Sequence, residues 1–310
     1  MKKRILLVVI IISSLSFSCA NDNSSDFKEK IFEGDVTLTT QNEVNKFGSN
    51  NYTEITGALI VSANPNDVSL SNLEALKSLK TVGKYIKIES NDKLINLNGL
   101  NSVSTVSGIF IRLNNSLINI DALSNISTIN QEVEIFNNAK LTNVDGLRNA
   151  VGAKLSNVKI HGNQNLTSIR GLSKISQTEN LYIANNPLLI NLNGLENLNS
   201  IGEVGYTSSL PTLIVQNNAS LVDVSSLNKL TYVKGALYIK NNNALANLNG
   251  LDNIQLIGGG NLIVSENKVL NSLCALKTVL SNPKFIGQFS AVGNLYNPTK
   301  LNIQNGNCAL

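Results

Sequence analysis

The chain is 310 residues long, 42% apolar and only 15% charged, with one His, three Cys and no Trp. Its 25 Lys+Arg outnumber 21 Asp+Glu, but Lys2, Lys3 and Arg4 sit at the extreme N-terminus; without them the chain is close to neutral and has no electrostatic footprint for nucleic acid. So few His and Cys leave little for nucleophilic or metal-assisted chemistry, and solubility falls to 50 Asn residues rather than to charge.

The N-terminus reads as an export signal over residues 1–18. Lys2, Lys3 and Arg4 precede an unbroken apolar run, Ile5 to Ile12, too short to span a bilayer comfortably. Small and polar residues then lead to Ser16-Phe17-Ser18-Cys19, and a polar stretch, Asn21 to Asp26, follows. This layout resembles the lipobox of bacterial lipoproteins, although the Leu usual three places before the cysteine is Ser16, with Leu15 one place further out. The resemblance implies that Cys19 becomes the lipidated first residue of the mature chain and ties it to a membrane. Ala20, where Asp would signal inner-membrane retention in enteric lipoproteins, points to the outer membrane, with the chain facing outward or into the periplasm. The alternative is an ordinary secretory signal with an incidental cysteine.

Lipidated Cys19 and a flexible tether are expected over 19–33, an N-terminal cap over 34–57, and repeats with a C-terminal cap over 58–310. In the cap, Val36-Thr37-Leu38 alternates as a short strand. Thr40-Gln41-Asn42-Glu43 then matches a capping box and starts a short helix with Val44 and Phe47 on one face.

From there one phrase returns: apolar, any, apolar, any, any, Asn, any, any, Leu. Its Asn falls at Asn64, Asn91, Asn114, Asn138, Asn163, Asn186, Asn218, Asn242 and Asn267, with a weaker copy at Asn294. The copies lie 23 to 27 residues apart, except for a step of 32 from Asn186 to Asn218. Such a period implies a solenoid with one coil per repeat. In the coil from Tyr85 to Val106, Ile86 and Ile88 alternate with Lys87 and Glu89 as a strand with one buried face, and Leu94, Leu97, Leu100, Val103 and Val106 follow at steps of three, the pattern of a chain that turns repeatedly and drops an apolar residue inward at each corner. Two further columns read as internal ladders that satisfy turn backbones. One is polar (Asn96, Asn119, Asn143, Ser168 and equivalents). The other is small (Gly99, Ala122, Gly146, Gly171 and equivalents) and implies tight turns or close approach of neighbouring coils.

The strand followed by Asn resembles leucine-rich repeats. The spacing of three to the next apolar residue, as in Asn91-Asp92-Lys93-Leu94, is closer to the receptor L domain, the right-handed β-helical ligand-binding module of insulin-receptor-type ectodomains. The resemblance covers roughly residues 34–308. It implies an all-β, right-handed β-helix-like solenoid of about ten coils with a short N-terminal capping helix, as in bacterial surface lipoproteins carrying such repeats.

If Cys19 carries lipid, Cys274 and Cys308 remain as a pair in the last coils. A disulfide between them would suit an oxidising compartment; the other state is two free thiols. With His161 several coils away, they furnish no closed zinc site.

The outward strand positions form two columns. One runs Ile60, Lys87, Phe110, Glu134, Lys159, Tyr182, Ile214, Tyr238, Ile263; the other runs Ser62, Glu89, Arg112, Phe136, His161, Ala184, Gln216, Lys240, Ser265. Four of only fifteen Phe and Tyr residues stand in them. Phe110, Phe136, Tyr182 and Tyr238, with Arg112, are candidate contacts for a protein or glycan ligand; stacking along a parallel sheet is the structural alternative. His161 reads as an exposed polar residue. The long repeat adds residues 202–212, including Tyr206, a further candidate because insertions that spare the frame protrude. The expected function is a monomeric, lipid-anchored, non-catalytic binding or adhesion protein needing no cofactor or metal. The alternatives are a structural envelope component without a specific ligand and a polysaccharide-active enzyme, for which Glu89 and Glu134 are the only paired acids on the face.

Overall fold

The computed structural model describes residues 29–67, 69–152, 155–202 and 212–310; the export segment, Cys19 and Tyr206 lie outside them. The described chain is mostly parallel β-sheet with few helices. Eleven strands, from Val36–Leu38 to Phe289–Val292, cross one sheet in chain order, each parallel to the next. Shorter strands further along the repeats, such as Ser200–Ile201, Tyr232–Val233 and Leu256–Ile257, pair in the same sense.

Period-two alternation places the core. In Tyr85–Glu89, Ile86 and Ile88 are fully buried while Lys87 and Glu89 are half-exposed. The residues at steps of three, Leu94, Leu97, Leu100, Val103 and Val106, are buried too, and the equivalent positions join one apolar cluster running through the repeats.

The repeat Asn side chains form a continuous buried ladder from Asn91 to Asn294. Asn163 is typical. Its Nδ2 donates to Ile135 O (3.0 Å), its N–H donates to Asn186 Oδ1 (3.1 Å), and its Oδ1 accepts the N–H of Asn138 (3.1 Å). Each amide thus satisfies backbone groups that the turn would leave unpaired in the interior. The residue before each ladder Asn is left-handed in every case: Ser90, Leu113, Asn137, Gly162, Asn185, Asn217, Asn241, Glu266 and Gly293, with φ from 53° to 70°. Asn64 does not join. It is exposed, Asp67 stands where later repeats have Leu, and Asn91 Oδ1 instead accepts the N–H of Ala63 (2.9 Å).

The other two columns act on turns. Asn143 Oδ1 accepts the Asp145 N–H (3.0 Å), and Asn247 Oδ1 accepts that of Asn249 (3.1 Å). A Cβ on Gly171 would lie 1.8 Å from Val144 O, so neighbouring repeats approach too closely there for a side chain.

At the N-terminal end the chain pairs earlier than the expected cap, with Ile31–Phe32 alongside Glu54–Ile55. In the helix Gln41–Gly48, Thr40 Oγ1 accepts the Glu43 N–H (3.2 Å), but the Glu43 carboxylate bonds the N–H (2.6 Å) and hydroxyl (2.9 Å) of Thr39, one residue before the position the capping box predicts. Val44 is buried, and Phe47 packs with Phe32 and Tyr52. At the other end, Cys274 and Cys308 are joined by a disulfide, their Cα atoms 4.8 Å apart. Beside it Leu273 N–H donates to Cys308 O (2.8 Å), so the tail folds back on the last repeat.

Candidate ligand-binding face

Parallel pairing aligns the two columns read from the sequence in register: Lys87 beside Phe110, Glu134 beside Lys159, Tyr182 beside Ile214 and then Tyr238. Ala184 and Ser265, expected to be outward in the second column, are buried instead. The N-terminal half of this face is charged and self-neutralising. Lys87 pairs with Glu89. Arg112 Nε lies 3.1 Å from Glu89 Oε1, close enough for an ion pair but without hydrogen-bond alignment, and its Nη1 lies 3.6 Å from Glu134 Oε2. Lys159 Nζ lies 3.3 Å from Glu132 Oε1 and 3.7 Å from Glu134 Oε1. Glu89 and Glu134, the paired acids of the sequence reading, are therefore held on either side of Arg112.

The aromatic candidates differ in what covers them. Phe136 stacks on His161, ring centroids 4.7 Å apart and planes within 5°, while the Arg112 guanidinium lies 5.7 Å from Phe136 and 5.8 Å from Phe110. Tyr85 meets Phe110 edge-on at 5.3 Å, and Lys240 Nζ lies 4.6 Å over Tyr238. These rings spend their surfaces on cross-strand neighbours and cations. Tyr182 is separated from Tyr238 by the strand Thr212–Gln216, whose Gln216 Nε2 donates to Tyr182 Oη (3.2 Å).

Beside Tyr182 opens a shallow recess of about 380 Å³, lined by Asn157, Lys159, His161, Asn180, Tyr182, Thr212 and Ile214. Asn157 and Asn180 share a register position; Asn180 Nδ2 donates to Asn157 Oδ1 (3.0 Å), and the Thr212 N–H donates to Asn180 Oδ1 (3.0 Å). His161 is not the exposed polar residue expected. It is half-buried between Phe136 and Tyr182, and burial pushes its pKa below the ordinary value, with Glu134 pulling up and Lys159 down. Its packing follows from its place beside Phe136 in the outward column, a signal already in the repeat alignment; Asn157 and Asn180 lie in a third outward position that the aromatic residues drew attention away from.

Of the other candidates, Cys274 and Cys308 lie in the C-terminal repeats, away from this face, and Cys19 and Tyr206 fall outside the described residues. Compared with models of protein families, with curated proteins and with solved structures, the chain finds no match.

Proposed function

We propose that this protein is a lipid-anchored, non-catalytic binding protein of the bacterial cell envelope, a right-handed β-solenoid of the receptor L domain or leucine-rich type that holds a protein or glycan ligand on its outer strand face. Parallel strands following in chain order at a period in the twenties support the solenoid, and connections between parallel strands of one sheet are overwhelmingly right-handed. The observation that carries the binding reading is the open recess beside Tyr182, polar groups facing solvent on a rigid sheet. A second reading, a structural component that packs against other envelope proteins, draws on the way Phe110, Phe136 and Tyr238 are engaged by their own neighbours. A glycan and protein array read beside a hydrolysis assay separates these. Saturable binding supports the first, silence in both leaves the second, and turnover overturns both.

The attachment rests on Cys19; among the described residues no helix is long and apolar enough to cross a membrane. Cys19→Ser should move the protein from the membrane to the soluble fraction or leave its signal uncleaved, and the wild type should incorporate labelled palmitate. A mature N-terminus other than Cys19 would refute the anchor.

A further inference from the structure

Lys159 apart, the side chains lining the recess are uncharged, and several keep hydrogen-bonding capacity to spare. Asn180 uses its carboxamide internally, holding Asn157 on one side and Thr212 on the other. That chain of bonds leaves Asn157 Nδ2 at its free end. Tyr182 Oη accepts from Gln216 and keeps its own proton to give. The His161 ring nitrogens bond no partner among the described residues, and the neutral imidazole offers one donor and one acceptor. Lys159 is the one cation on the rim, and Glu132 and Glu134 already sit against it.

From this geometry we infer that the recess formed by Asn157, His161, Asn180, Tyr182 and Thr212 is a subsite for one residue of an uncharged saccharide. The inference rests on the binding reading above and narrows it to a ligand class. A sugar hydroxyl both donates and accepts, which matches a wall holding an amide donor, a phenol and a neutral imidazole. The carbon face of a pyranose can lie against Tyr182 and Ile214, the two apolar surfaces of the recess. An anionic ligand would meet Glu132 and Glu134 as well as Lys159, and an apolar peptide side chain would leave the wall's polar groups without partners. The recess volume of about 380 Å³ lies at the lower end of the range for small-molecule sites, which suits one or two sugar units rather than a folded partner.

The test uses the whole lipidated chain in detergent and calorimetric titration with maltotriose, cellotriose, mannotriose, lactose, an oligogalacturonate, and short acidic and basic peptides. At least one neutral sugar should bind saturably. Tyr182→Ser and Asn157→Leu should each weaken it about tenfold or more, Tyr182→Phe less, and Tyr238→Ser not at all. Thermal melts of the variants check that the sheet is intact. Binding of the oligogalacturonate alone, or neutral-sugar binding that survives Tyr182→Ser and Asn157→Leu, overturns the subsite. Binding of a peptide alone also overturns it, while leaving the strand face as the binding surface. No binding by any probe overturns it as well, and the wider array then decides whether the face binds anything.

Discussion

Leu113 is the residue whose local preference most contradicts its place. It holds φ of 59°, where four of the nine equivalent positions carry Asn and two carry Gly. A left-handed conformation costs an ordinary L-residue roughly 1–2 kcal/mol, and Asn tolerates it better. Leu113 is 38% exposed, so its side chain returns little of that in burial. Leu113→Asn should therefore stabilise the fold by about 1 kcal/mol, read as a higher urea midpoint with unchanged slope; an unchanged or lower midpoint would mean that Leu113 packing outweighs the backbone preference. His161 gives a pH-dependent counterpart. Burial lowers its folded pKa, with Glu134 opposing and Lys159 assisting, so as pH falls the unfolded chain takes up a proton first. The contribution is full above the unfolded pKa of about 6.5 and is lost as pH drops through the folded value. Asp35, Glu43 and Asp67 have pKa values lowered by hydrogen bonds, first from the Ala58 N–H, the Thr39 N–H and the Ser69 hydroxyl respectively; they respond in a more acidic window. Because the chain has one His, melts between pH 7 and 5 should fall more steeply for wild type than for His161→Gln. Parallel profiles would show that the ring's environment does not select its neutral form.

At the scale of the repeat, the Asn ladder matters more than any single strand pair. Asn163→Ala would strip the Asn138 N–H of its acceptor and leave Ile135 O without its side-chain donor, both inside the ladder. At roughly 1–3 kcal/mol for each stranded group, the loss should be about 2–6 kcal/mol. Asn64→Ala, at the exposed position that looks the same in sequence, should cost less than about 1 kcal/mol. Equal losses in the two denaturation curves would refute the distinction. That pair also marks where the sequence was legible. The strand faces and their register were, because a period of two in a parallel array leaves one arrangement that buries Ile86, Ile88 and their equivalents. Tight approach at Gly171 was legible for the same reason, since only a small residue recurs there. The ladder's start was hidden because Asn64 follows an alternating apolar strand as in the later copies, although Asp67 stands where they have Leu. The left-handed turn was hidden because Ser90, Leu113 and Glu266 are imposed on it by neighbouring repeats, against local propensity. On the binding face, register was readable but ring orientation was not: Phe136 and His161 as column neighbours were implied, their coplanar stacking was not.

Over the whole molecule, among the described residues, the strands of the long sheet follow one another in chain order, with Gln177–Ala184 also pairing the short strand Ser200–Ile201, so stability should be distributed as in a linear array rather than a globule. The end repeats have a neighbour on one side only, and the C-terminal one is closed by Cys274–Cys308, 34 residues apart in sequence. On the chain-entropy account, a loop of that length contributes about 3–4 kcal/mol. In a linear array the effect of its removal should stay local. With Cys274 and Cys308 both replaced by Ser, the backbone bonds from Leu273 to Cys308 and from Leu310 to Asn271 lose the link that holds them, and the tail should peel from the last repeat. Hydrogen exchange should then accelerate from about residue 270 onward, while amides between Tyr85 and Asn186 keep their wild-type protection. The melt should broaden or gain an early phase rather than shift as a whole, because neighbour-to-neighbour coupling lets one end open without the other. Uniform loss of protection across all repeats would contradict this. It would mean that the chain unfolds as a single cooperative unit, with the disulfide bracing the entire sheet.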